Sequence, residues 1–323
     1  MGKHLLNIFV LFLLTSYAAF PQSIQWTQKK SLPKNYRNGA AAACNGKIYF
    51  MGGYCESTPE RFEKTNYEYD TLTDTWEQKA DIPSGRSNFA LAAIDDKIYA
   101  IGGDPFSPQN EVYNVKTNSW KILAPMLTPR QHISCAVVNG NIYVIGGLVN
   151  VTDGSAPSNW SYENVSNINE VYLTATDSWK ELAPMPAKRH GAYLAAVDDK
   201  IFVIGGMGIK EDMWAALSTV EMYDPETDKW ETKASLPVPR DGFGIAVINK
   251  EIYIIGGFGP EPLNTVFVYD TESDTWKTTT DFPNMESVSP GSTVIKNRIY
   301  IAGGSDKDYN ANSNFFEGIV TED

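Results

Sequence analysis

The chain has 323 residues, 42% of them hydrophobic and 20% charged, which suits one large all-β domain or two ordinary domains of a soluble protein. Its 27 Lys and Arg against 39 Asp and Glu leave a net charge of −12. That balance argues against nucleic-acid binding, which needs clustered cations to displace counterions, and against docking on anionic membranes.

At the N-terminus Lys3 and His4 precede an apolar run from Leu5 to Leu14. Ser16-Tyr17-Ala18 then puts small side chains at the −3 and −1 positions of a cut. Residues 1–18 read as a secretory signal peptide, with the cut between 18 and 23, so the expected location is secreted or periplasmic. The run falls short of the roughly 20 apolar residues that span a bilayer, so no membrane insertion of the mature chain is expected.

A pattern then recurs. Gly-Gly pairs stand at 52–53, 102–103, 146–147, 205–206, 256–257 and 303–304, each closing a run such as "KIYFMGG" or "EIYIIGG". Tryptophans stand at 26, 76, 120, 179, 230 and 276. From each Trp to the second Gly of the next pair is 27 residues in five cases and 28 in the last. Tyr69, Tyr113, Tyr172, Tyr223 and Tyr269 each lie seven residues before a Trp, while the stretch between Gly-Gly and Tyr varies in length. Fixed spacing marks a shared scaffold, and variable spacing a surface loop.

Each unit reads as four strands. An apolar strand such as "FALAAID" leads through a two-residue turn, Asn45-Gly46 in the first unit, into the "IYxIGG" strand. A third strand ends near the Tyr, a tight turn follows ("YDPETDKW"), and a fourth strand carries the Trp. The one stretch of helical character is "IKEDMWAAL" at 209–217. The glycines do not form a phosphate loop, since that needs a helix N-terminus after them and here another strand follows each time.

Four-stranded units with Gly-Gly and Trp signatures at a period near 50 resemble kelch repeats. The resemblance covers nearly all of the mature chain and implies an all-β, six-bladed kelch β-propeller as a single domain over residues 24–320. Trp26 opens the mature chain with a fourth-strand motif and "NFFEGIVTED" ends the last unit without a Trp. The ring is therefore expected to close by the N-terminal strand joining the C-terminal blade, and deletion of Ile24–Thr27 to destabilise the domain.

An Arg precedes the first strand of most units: Arg86, Arg130, Arg189 and Arg240 lie ten residues after their Trp, and Arg37 lies eleven after Trp26. In the sixth unit the place falls on Glu286 or Ser287. Five guanidiniums are expected to ring one mouth of the central channel, a setting for carboxylate or phosphate recognition. The alternative is structural, each Arg bonding loop carbonyls or a neighbouring acid. His132, His190 and Asp241 beside the arginines, with Tyr54, Asp104 and Phe258 after the glycine pairs, would share the rim. His132 and His190 are offset by one residue relative to their arginines, so a two-histidine metal site is not expected, and no cofactor is implied.

The inserted loops 148–169 and 207–219 carry Trp160, Tyr162 and Trp214 outside the repeat pattern, suited to stacking on a sugar or partner or simply to pinning the loops. Asn150, Asn159 and Asn164 begin glycosylation sequons. Cys44 and Cys135 align with core positions; Cys44 and Cys55 lie at opposite ends of a strand, about 20 Å apart, too far for a disulfide. The leading functional expectation is a monomeric exported binding module for a carbohydrate or an acidic peptide or protein. The first alternative is an isomerase. Exported kelch propellers include sialic-acid mutarotases, and in such an enzyme Glu286, Asp241 or His190 would move the proton. The second is a purely structural or adhesive module.

Overall fold

In the computed structural model the described residues are 22–150, 164–259, 264–283, 289–306 and 308–321. They form six four-stranded antiparallel sheets. The first consists of Ala40–Cys44, Lys47–Met51, Asn66–Asp70 and Thr75–Gln78, paired in chain order. The innermost strands of the six are Ala40–Cys44, Ala90–Ile94, Ser134–Val138, Tyr193–Val197, Gly244–Ile248 and Gly291–Ile295. Each touches the next and the last touches the first, so the sheets are the blades of a closed six-bladed β-propeller.

The sixth blade is built from both ends of the chain. Ser23–Gln28 is its outer strand and pairs with Phe315–Thr321, with Ser23 opposite Thr321 and Trp26 opposite Gly318. Closure therefore follows the sequence expectation. The hairpin turns follow it too: Asn45 and Gly46 both have positive φ (51° and 74°), as do Asn139 and Gly140 (50° and 72°).

The core lies between blades. Second-strand residues are buried on both faces, as in Ile48, Tyr49, Phe50 and Met51. The recurring Tyr and Trp form a latch across each seam. Tyr113 Oη donates to Asn118 Oδ1 at 2.8 Å, and that oxygen also accepts the Ala80 N–H of the preceding blade at 2.8 Å. Trp120 Nε1 donates to the Ala80 carbonyl at 2.8 Å. Asp74, Asp177, Asp228 and Asp274 do the same work at the other seams between consecutive blades.

The expected helical stretch at 209–217 is instead a β-hairpin, Met207–Lys210 against Met213–Ala216. Its two-residue turn, Glu211-Asp212, takes positive φ at both positions (52° and 60°), which starts the return strand where a helix would have continued. No helix among the described residues is long and apolar enough to cross a membrane.

Candidate functional site

The inner strands enclose a cavity of about 800 Å³ that opens at the face bearing the variable loops. Alternation along each strand sends one set of side chains into the next blade and the other into this channel. Cys44 is buried in the core shared with the second blade, whereas Ala41 and Ala43 line the channel.

The expected ring of five arginines at the mouth is not there. Arg86, Arg130, Arg189 and Arg240 are fully buried, and none lines the cavity. Arg130 pairs with Glu170 at 2.9 Å and donates to the Gly146 carbonyl at 2.8 Å. Arg86 pairs with Glu111 and Arg189 with Glu221 in the same manner. Arg240 has Phe267 where the others have an acid; its guanidinium lies 4.4 Å from that ring and donates to the Gly256 and Thr265 carbonyls. Burial lowers its pKa to about 10. These four take the structural alternative.

The arginine carbonyls also explain the glycine pairs. Gly53 N–H donates to Arg86 O at 2.9 Å, and a Cβ on Gly52 would sit 2.6 Å from the same oxygen. Only glycine lets the two blades approach this closely. The equivalent bond from Gly304 goes to Tyr36 O at 2.9 Å. Tyr36, ten residues after Trp26, is therefore the first blade's counterpart of the buried arginines, and its hydroxyl meets that of Tyr67. Arg37 belongs to the next position. The spacing of eleven rather than ten was the sequence signal of this difference.

The rim is made by the two residues after each buried position. The second takes positive φ in every blade: Asn38, Asn88, His132, Gly191, Gly242 and Ser289, at 51° to 63°. Backbone bonds run between neighbours around the mouth, Asn88 N–H to Asn38 O at 3.0 Å and Gly191 N–H to His132 O at 2.9 Å among them. The first of the two supplies Arg37, His190 and Asp241, all on the cavity wall. Arg37 stacks on Tyr54 at 4.5 Å and lies 3.5 Å from Glu56. Tyr54 and Asp104 sit behind the wall; Asp104 accepts from Ser87 at 2.6 Å and from Asn88 at 2.7 Å, which fixes the Asn88 amide.

The offset between His132 and His190 suggested divergent rings, but the structure brings them together at 5.3 Å, edge to face, because they come from adjacent blades and His132 takes the left-handed place. Burial holds their pKa values down at about 4 and about 3, so both are neutral at pH 7. Among the described residues no cluster of three or more His, Cys, Asp or Glu could hold a metal ion. Trp214, from the hairpin, packs on His190 at 5.2 Å and joins the cavity wall. Asp241 faces Gly191, where a Cβ would sit 2.5 Å from its Oδ1. Burial pushes its carboxyl up to about 7. Phe258 pairs with Asp241 through the backbone and also lines the cavity.

Glu286, Ser287, Trp160, Tyr162 and Asn159 lie outside the described residues. Asn164 is buried, a poor place for a glycan. Cys135, expected in the core, is half-buried: it packs against the core between the second and third blades and also lines the channel; Cys44 and Cys55 are buried, and all three are free thiols. Two lining residues were not expected: Ser305, which follows Gly304 as Phe258 follows Gly257, and Tyr309, which reaches the rim from further along the same loop, where no repeat signature marks it.

The family model described as the KLHDC2/KLHL20/DRC7 Kelch-repeats domain matches residues 38–257 and 112–304. Kelch-like protein terF of Aspergillus terreus is 36% identical over 110 residues, 33% of this chain and 24% of that protein. Kelch repeat and BTB domain-containing protein 12 of Homo sapiens is 32% identical over 100 residues, 29% of this chain and 16% of that protein. Alpha-scruin of Limulus polyphemus is 42% identical over 82 residues, 25% and 9% respectively. The matches thus span a quarter or less of these relatives' own lengths. The solved structure of YjhT superposes with a TM-score of 0.73 over 89% of this chain and 95% of that one, at 19% identity, a likeness of fold.

Proposed function

This chain belongs to the kelch-repeat family, and from that premise we propose that it is an exported, monomeric binding module that takes a carbohydrate or an acidic peptide or protein at the mouth of its central channel. The observation that carries the reading is the cavity of about 800 Å³ on whose rim side chains from successive blades converge. Arg37 is a fixed cation at that rim and suits one carboxylate. The Trp214 ring suits the face of a sugar, and Asn38 and Asn88 offer amide donors and acceptors.

Binding to glycan, sugar-acid and acidic-peptide panels tests this, with wild type beside Arg37→Ala and Trp214→Ala. Removing a charge-assisted hydrogen bond costs about 1.5–3 kcal/mol, or roughly 10–100-fold in affinity. Hits that bind both variants as tightly as wild type would discard the mouth as the site. Export is checked by fractionation and N-terminal sequencing, with a mature start between residues 19 and 24 expected from the cut site.

Asp241 favours a second reading, an isomerase that interconverts anomers of an acidic sugar. A cavity-facing carboxyl held near neutrality is suited to proton transfer at working pH. NMR of anomer exchange in N-acetylneuraminate reads it directly. Acceleration by wild type that is lost in Asp241→Asn supports the reading, and exchange at the uncatalysed rate with wild type rejects it.

A further inference from the structure

Below the rim the channel changes character. The upper tier of inward-facing side chains is Ala41, Leu91, Cys135, Leu194, Ile245 and Ser292. Two residues further along four of these strands come Ala43, Ala93, Val137 and Val294 on the same wall. Ser292 Oγ accepts the Ile245 N–H at 2.9 Å, and Cys135 Sγ lies 3.4 Å from the Leu91 carbonyl. The shaft thus offers an incoming group almost nothing but methyl and methylene surface, with no charge in either tier. Inner strands of five residues, at about 3.3 Å each, give it a depth of roughly 16 Å. Above it stand Arg37, Asn38, Asn88, the neutral histidines and Asp241.

This layering has a chemical consequence. A fully polar ligand would occupy the rim alone and leave the shaft without a partner, whereas a fully apolar one would strip water from Arg37 and Asp241 without replacing its bonds. Ligand sites of this volume pair a mostly apolar wall with a few placed polar groups, each matched to a part of one molecule.

We propose that the channel is the binding site of a small single-tailed amphiphile, whose carboxylate or sugar head is held at the rim by Arg37 and its neighbours and whose alkyl or aryl tail fills the shaft. The inference rests on the mouth being the ligand site and extends it to the class of ligand. The small residues Ala41, Ala43 and Ala93 are what leave the shaft open: Leu or Phe at these places would fill the space that the tail takes.

The test compares heads with and without tails by titration calorimetry, below micelle-forming concentrations: octanoate against acetate, and octyl glucoside against glucose. Each tailed probe is expected to bind at least about tenfold more tightly than its bare head, with a negative heat-capacity change that marks apolar burial. Ala93→Phe is expected to abolish the gain from the tail. Because that variant adds volume to an open channel its unfolding midpoint is read alongside, and intermolecular NOEs from the octyl chain to labelled alanine methyls in wild type give evidence independent of any substitution. Tailed probes that bind no better than their heads, or a gain that survives Ala93→Phe with the fold intact, would overturn the inference. Arg37→Ala separates it from the reading beneath it: loss of acetate and octanoate binding in equal proportion supports the mouth site. A tail gain that persists with no dependence on Arg37 keeps the shaft but removes the carboxylate head from the rim.

Discussion

Arg130 and Arg240 occupy the same place in their blades, yet one faces Glu170 and the other Phe267. A buried ion pair contributes little net stability against an apolar substitute, but a buried charge deprived of its partner is costly. Glu170→Leu, which leaves the Arg130 charge buried and unpaired, is therefore expected to lower unfolding stability by about 3–5 kcal/mol, while the double change Arg130→Met with Glu170→Leu costs much less. Denaturant unfolding of the four members of this cycle measures it, and an additive double mutant would show that the pair is not coupled. The pairing was legible: Glu111, Glu170 and Glu221 each lie two residues before the repeat Tyr, and the fifth unit has Phe267 there. What the sequence hid was direction, since the same arginine count fits a charged rim or a buried brace. Asp241 carries a pH signature. Its carboxyl is raised from the usual value near 3.9 to about 7 by burial, so the folded state keeps a proton that the unfolded chain has released. The stabilisation is full below pH of about 4 and is lost as pH rises through 7. Thermal unfolding of wild type relative to Asp241→Asn should thus worsen between pH 5 and pH 8, and a constant difference would place the carboxyl in water.

Strands and turns show where the repeat was reliable and where it failed. Five seams share the Tyr, Asp or Asn, and Trp latch because each joins consecutive blades through a turn. The closing blade has no such turn between Phe315–Thr321 and Ser23–Gln28, and Gly318 stands where the other blades place Tyr. The Trp26 ring drops over that glycine and packs edge-on to Phe282 at 4.9 Å. A Cβ on Gly318 would lie 2.5 Å from the Trp26 ring, so Gly318→Ala is expected to pry the closing strand away and lower the midpoint of thermal unfolding. Deletion of Ile24–Thr27 should lower it further, since it removes the strand that joins the two ends. Unchanged midpoints in both would show that the ring holds without its seam. Residues 209–217 have helical character in sequence yet belong to the hairpin Met207–Lys210 with Met213–Ala216, because Met, Trp and Ala favour no single state over so short a run. The decisive fact was the left-handed Glu211-Asp212 turn, which propensity does not announce.

At the scale of the molecule, the six-fold count of Gly-Gly and Trp specified the architecture because each repeat must bury its faces against the next. The site was less legible, because it is made where the blades differ. Arg37, His190 and Asp241 share one structural position without sharing a residue type, and a pattern search looks for what recurs. The same logic predicts that the order of blades along the chain is immaterial to the fold. Ser23 pairs with Thr321, and their hydroxyl oxygens lie 2.8 Å apart, so a short Gly-Ser linker can join these ends without crossing the structure. New ends can be opened between Glu226 and Thr227, in an exposed turn on the outer edge of the fourth blade. Such a circular permutant of residues 23–321 is expected to unfold in one cooperative transition and to show the same response to Arg37→Ala in the binding panels as the natural order. The fourth blade would then carry the chain ends while its outer strands keep their pairing. The sixth becomes continuous, so Gly318→Ala should cost less in the permutant than in the natural chain, because the linker now holds the closing strand in place. Loss of cooperative unfolding on permutation would mean that ring closure depends on which blade forms last.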